Sequence, residues 1–333
     1  MAGPSKPRLS MLDLVGVRQG ASHADAIALA VRTARHVERL GFTRYWLAEH
    51  HNMPGIASSA TAVLIGHIAA ATRTIRVGSG GIMLPNHAPL TVAEAFGTLA
   101  AIYPGRIDLG LGRAPGTDQQ TMRLLRRNRV ETEADFPRDV AEILQLLDEP
   151  EPGQAVVAVP GAGSQVPVWL LGSSLFSATL AAQMGLPYAF ASHFAPRMMH
   201  QALRVYRSQF QASRWLKKPY VMVGVPVVGA PTDEEAEFLA STVRQRTLGI
   251  VRGERAVLRP PLPGYVEGLS DYEREAIGSF LGAAIIGGPE RLQAGFADLL
   301  AHTAADEFIL VSDVFDEAQR QRSLAMAAEA VGL

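Results

Sequence analysis

Tyr45-Trp46-Leu47-Ala48-Glu49-His50-His51-Asn52 decides how the rest of this 333-residue chain is read. An apolar run ends in three titratable side chains, then breaks at Asn52-Met53-Pro54-Gly55. The run is a strand with its polar residues at its carboxyl end, bounded by Pro and Gly. In parallel α/β proteins that end is where ligands bind. Side chains alternate along a strand, so His50 and His51 should face different directions, and one of them can point into a pocket. An imidazole there exchanges protons near neutral pH. Taken alone, the pair reads as two surface loop histidines; the chain on either side of it changes that.

Working outward, residues 9–17 read as a first strand. Ser22, with Asp25 three residues on, looks like the N-cap of a helix with the stripe Ile27, Val31, Ala34, Val37 and a stop at Gly41. Ser58-Ser59 open a second helix. Its Ala-rich face at 60–71, with Gly66 inside, is a candidate homodimer surface or ordinary internal packing. Further strands fall at 75–78, 106–113, 168–171, 186–191, 220–228 and 308–311, each followed by a helical pattern. Eight strand-then-helix units, with strands too uniformly apolar to be half-exposed, predict a (β/α)8 TIM barrel. The chain is expected to form one domain over 1–333, with an irregular insertion at about 250–286 before the last strand. A doubly wound open sheet is the alternative.

Composition narrows the classes. The chain is 48% hydrophobic with net charge −1, which points to no nucleic-acid partner and no anionic membrane surface. It has no Cys, so disulfides, thiolate nucleophiles and Cys-based metal sites are excluded together. Residues 1–8 lack an apolar signal core, and no apolar run approaches about 18 residues. A soluble, cytoplasmic protein acting on a small molecule is the expectation.

In a barrel all strand ends meet on one face. Glu49, His50 and His51 then lie beside Gly80-Gly81, Asn86-His87, Gly112-Arg113, the 172–177 turn and His193. Gly172-Ser173-Ser174-Leu175-Phe176-Ser177 enters a helix, where N–H groups and hydroxyls make an anion site, and Arg113 could supply the charge. Ordinary Ser capping is the competing account. Ser79-Gly80-Gly81 and Gly110-Leu111-Gly112 leave room for a flat ring against backbone. As a nucleotide fingerprint, Gly110 to Gly116 is poor, because the following Arg-rich stretch does not open a clean helix. Arg123, Arg126, Arg127 and Arg129 fit a solvated face better than a ligand site. No metal is expected: inward-pointing His pairs in barrels sit at alternate positions, and His50-His51 are adjacent.

These residues carry a resemblance. The motifs Trp46 to Gly55, Val77 to Pro89, Gly105 to Asp118, and Leu171 to Ser174 followed by Ala181 to Pro187 are similar to the bacterial luciferase-like flavin monooxygenases. The likeness covers strands one to six in order and is vaguer after Ala212, apart from Gly287 to Leu292. It implies a barrel that binds reduced FMN (FMNH2) from a separate NAD(P)H:flavin reductase. O2 would add at the flavin C4a, and the resulting peroxide would oxygenate an aldehyde or a polyketide-like aromatic. By motif position, His50 matches the family's catalytic histidine, with Glu49 and His51 beside it. Arg113, Ser173, Ser174 and Ser177 match its phosphate site, and Gly80-Gly81 its non-proline cis peptide under the ring. Asn86, His87, Gly112, Leu171 and Gly172 fall in the same cofactor-binding segments. Some luciferase subunits have a reactive Cys where this chain has Gly112, so light emission is not implied. The look is that of the single-subunit members, some of which tailor aromatic polyketides. Two other readings stand beside it: a deazaflavin F420-dependent oxidoreductase on the same fold, and a non-catalytic flavin-binding protein.

Overall fold

β1 (Arg8–Asp13) leads into α1 (His23–Arg39), which Ser22 and Asp25 open as a reciprocal capping box. The computed structural model describes residues 6–114, 118–125, 135–254 and 256–333. Residues 1–5, the Gly116 end of the glycine motif, and Arg126, Arg127 and Arg129 lie outside them. The buried face of α1 is Ala26, Leu29, Ala30, Thr33, Ala34 and Val37, turned slightly from the expected stripe, so Ile27 and Val31 are only part-buried.

β2 (Arg44–Leu47) is buried throughout, and α2 (Thr61–Ala71) follows. The two serines expected to open α2 do not cap it; Ala60 is its N-cap, and the Ser58 carbonyl instead accepts from the His50 N–H at 3.0 Å. α2 buries Leu64, Ile65 and Ile68 and leaves Val63 exposed. β3 (Arg76–Met83) runs through the glycine pair, then α3 (Pro89–Ile102), β4 (Ile107–Gly112) and α4 (Gln119–Leu125). α5 (Asp135–Leu146), β5 (Val168–Gly172), α6 (Leu175–Met184), β6 (Tyr188–Phe190) and α7 (Met199–Gln209) come next. β7 (Val221–Gly229) and α8 (Asp233–Val251) precede the segment expected to be irregular. That segment holds α9 (Asp271–Phe280), with its own Ser270–Glu273 capping box, and a short strand, β8 (Ile285–Gly287). α10 (Pro289–Thr303), β9 (Glu307–Val311) and α11 (Glu317–Val331) finish the chain.

Every ladder is parallel. The strands run round in the order β1-β2-β3-β4-β5-β6-β7-β9 and close on β1, an eight-stranded barrel with helices outside. β8 stays off the ring: the first half of β7 pairs with β9 (Met222–Pro226 against Glu307–Val311) and its last three residues pair with β8. Among the described residues no helix is long and apolar enough to cross a membrane.

Inside the ring, Leu12, Trp46, Trp169, Ala189, Met222 and Ile309 form an apolar wall, with the two indoles edge-to-face at 5.2 Å. The amino end of the barrel is filled differently. Arg44 donates to Asp108 at 2.8 Å and Glu307 at 3.0 Å, and its guanidinium lies 4.7 Å from the Trp169 ring. Arg76 reaches Asp108 at 2.6 Å, Tyr220 donates to Glu307 at 2.8 Å, and Ser10 donates to the same carboxylate. This closed network leaves the carboxyl end as the open one.

Candidate active site

The β2 ladder ends at Leu47, and the next residues diverge as strand alternation requires. Glu49 turns outward, to the Leu47 side of the strand facing α2 and α3, and is buried. Its Oε1 meets Nε2 of His51 and Nε2 of His87, each at 2.7 Å, and its Oε2 accepts the Met83 N–H at 3.2 Å. Burial pushes the Glu49 carboxyl up, but the hydrogen bonds and charge of His87 and His51 outweigh it and hold the group below its ordinary range. Three atoms of metal-ligating type thus come within 4.8 Å. The converging pair is His51 with His87, which adjacency of His50 and His51 did not suggest. The 2.7 Å contacts are hydrogen-bond lengths.

His50 faces the other way. Its Nδ1 is buried and has no partner, and so is Nδ1 of His193, just after β6. The His193 ring lies over β7, where a Cβ on Gly224 would come within 2.5 Å of Nδ1. Arg246, from α8, brings a cation to the pair and is braced by Asp313, with Nη1 at 2.7 and 2.8 Å from its two oxygens. Burial first, and then the Arg246 charge, pushes His50 down to about 4 and His193 down to about 3. Both are neutral imidazoles at pH 7. Arg246 and Asp313 were missed in the sequence. Asp313 could have been found, because it stands two residues past the end of β9 as Glu49 stands two past β2. Arg246 sits in a regular helical pattern that gave no signal.

The glycine ends form the facing wall. The Gly80–Gly81 bond is cis, as the resemblance implies, and the β3–β4 register shifts between Ser79 and Ile82. At Gly110 a Cβ would come within 2.2 Å of the Ser79 carbonyl oxygen. The small residue is therefore required for strand packing itself, a reason distinct from room for a ring. Gly172 is crowded by the Ser177 side chain in the same way, at 2.2 Å. Ser174 is the N-cap of α6 but makes no side-chain cap bond; Ser177 Oγ donates to the Ser174 carbonyl at 3.1 Å. The ordinary capping account of these serines thus fails, and no side chain caps the first-turn N–H groups. The Arg113 guanidinium lies 4.3 Å over the Phe176 ring of that turn. Arg113 and the serines do come together. Ser173 and Leu171 are part-buried beside them, and Asn86 is buried in the turn before His87.

Comparison with known proteins adds the family. The pattern described as luciferase-like monooxygenase matches residues 8–306. A luciferase-like monooxygenase of Escherichia coli (strain K12) is 48% identical over 320 residues, 96% of this chain and 96% of that protein. The crystal structure of apo-MsnO8 matches with a TM-score of 0.91 at 34% identity, covering 97% of this chain and 98% of that one. The oxygenating constituent of 3,6-diketocamphane monooxygenase from Pseudomonas putida, a type II Baeyer–Villiger enzyme in complex with FMN, shares the fold at 16% identity. Its TM-score is 0.76, over 98% of this chain and 97% of that one. With the closed barrel and a match that runs nearly end to end, this chain belongs to the luciferase-like monooxygenases.

Proposed function

We propose that the protein is a flavin-dependent monooxygenase that takes FMNH2 from a separate NAD(P)H:flavin reductase and uses O2 to oxygenate a small organic substrate. The observation that carries this is the first turn of α6: an N-terminus without a side-chain cap, two serines and a guanidinium stacked on Phe176, a combination fitted to a phosphate. Arg113, Ser173, Ser174 and Ser177 would hold that phosphate, and Gly80, Gly81, Gly112, Leu171 and Gly172 would flank the ring. The bound flavin would supply the electrons that activate oxygen. His50 contributes a neutral imidazole. A group that stays unprotonated down to about 4 is a weak base at pH 7, so its role is to hold a reacting oxygen by a hydrogen bond rather than to collect a proton. Glu49 fixes His51 and His87 through its shared oxygen and so shapes the loop beside it.

An anaerobic titration with FMN, FMNH2 and F420, followed by admission of oxygen, tests the cofactor. Binding of FMNH2 over F420, with an absorbance transient before the oxidised flavin spectrum, is the expected result; preference for F420 would move the protein to the hydride-transfer members of the fold. Arg113→Ala should weaken FMN about ten- to a hundredfold, the worth of one charge-assisted contact. Riboflavin, lacking the phosphate, should bind both proteins equally; an equal loss for riboflavin would make Arg113 a structural residue.

A further inference from the structure

The cation at the barrel mouth is only half used. Arg246 gives Nη1 to both oxygens of Asp313, and among the described residues nothing accepts from its Nε or Nη2. Its side chain is 16% exposed and that of Asp313 12%, so this is a built pair rather than a solvated one. Beside it stand the buried, unpartnered Nδ1 atoms of His50 and His193. Buried polar groups are ordinarily paired, and two unpaired ring nitrogens beside the unused edge of a guanidinium call for a ligand with polar atoms of its own. The second edge of a guanidinium, Nε with Nη2, offers two parallel N–H donors, a geometry that matches a carboxylate. Asp313 occupies the other donor and fixes the orientation of the fork. The phosphate site proposed above lies elsewhere on the ring, between β4 and α6, and does not need this arginine.

We propose, resting on the monooxygenase reading, that the organic substrate is a carboxylic acid whose carboxylate is received by Arg246, braced by Asp313 and flanked by His50 and His193. The acid end sits at the β7–β9 side of the mouth, and the apolar part of the substrate extends towards the oxygen-activating centre. A bound carboxylate also offsets the positive field that acts on both imidazoles, which ties the proton affinity of His50 to occupancy of the site.

The test is calorimetric and needs no turnover. Benzoate and octanoate are titrated against benzamide and octanamide, with FMN and riboflavin in parallel, into the wild type, Arg246→Met and Arg246→Lys. The wild type should bind each acid more tightly than its amide. Arg246→Met should weaken the acids about ten- to a hundredfold, with amides, FMN and riboflavin unchanged. Should Arg246→Met fail to fold, Arg246→Lys decides. It keeps the charge without the two-donor edge, so acids should weaken severalfold and amides should not. A wild type with no preference for acids overturns the proposal, as does an equal loss of acid and amide. Loss of FMN with riboflavin retained would hand Arg246 to the cofactor phosphate and overturn it too. A wild type that prefers acids yet binds no flavin leaves the carboxylate site standing and removes the monooxygenase reading instead.

Discussion

At the amino end of the barrel, Arg44 is held between Asp108 and Glu307, and Arg76, Ser10, Tyr220 and Trp46 complete the two carboxylates. At the carboxyl end, His50 and His193 each keep a buried nitrogen without a partner, and Arg246 uses one donor of several. The same fold thus holds a satisfied charged network below the tryptophan wall and an unsatisfied one above it. Burial acts on both. For Arg44 it works against the charge, but Asp108 and Glu307 more than offset it and raise the group above its ordinary range. For His50 the Glu49 charge opposes burial only in part, for His193 no charge opposes it, and the two rings stay neutral. The lesson is that pairing, not burial, separates a structural charge from a reactive group.

Breaking the lower network should give the largest effect. Asp108→Ala strips Arg44 and Arg76 of a shared partner and leaves the buried Arg44 with Glu307 alone. Removing one member of a buried ion pair costs about 3–5 kcal/mol. Urea unfolding should show a midpoint lowered accordingly, with FMN affinity of the remaining folded protein unchanged. A loss below about 1 kcal/mol would mean the network is as replaceable as a surface pair.

The upper end should respond in rate and not in stability. His50→Ala should lower single-turnover substrate oxygenation from FMNH2 and O2 by about 10²–10³-fold, the cost of losing one preorganised hydrogen-bonding group. Its melting temperature should hold or rise, because the deleted ring carries an unpaired buried nitrogen. His51→Ala should cost less, since His87 still holds Glu49. If His51→Ala is the inactive variant and His50→Ala turns over normally, the two rings have been assigned to the wrong sides of the strand.

What could be read in advance followed the same division. Strands of uniform apolarity, capped helices and glycine stops are local, so the barrel and the Ser22 capping box were legible. Strand alternation sufficed to part His50 from His51. The partners of each were not legible, because Glu49–His87 and Arg246–Asp313 join residues 38 and 67 apart and no periodicity encodes such a meeting. Ser58 misled for a related reason. Serine before a helix ordinarily caps it, and here the β2 loop reaches the Ser58 carbonyl instead. The segment after α8 hid α9 and β8 because proline and glycine dominate its start, and three strand residues give too short a pattern to detect.

The smallest effect sharpens the comparison most, because it reads the unpaired rings directly through pH. Both have ordinary values of 6.5 and lie near 4 and 3 in the folded protein. Below pH 6.5 the unfolded chain takes up protons that the folded one refuses, so acidification favours unfolding until the folded values are reached. The window runs from about 6.5 to 4 for His50 and to 3 for His193. Glu49, whose folded value is lowered from 4.5, adds its own loss only below that pH, so the interval from 6.5 to 5 isolates the imidazoles. His36 is also lowered by burial and contributes with the same sign, which a wild-type comparison cancels. Each ring can contribute at most about 1.4 kcal/mol per pH unit, and less in practice where solvent at the mouth screens it. Melting temperatures recorded from pH 7.5 to 5 should therefore fall more steeply for the wild type than for His50→Gln or His193→Gln, with the double variant the flattest. Equal slopes in all four proteins would mean that these rings are protonated as readily folded as unfolded, and the contrast between the two ends of the barrel would rest on hydrogen bonds alone.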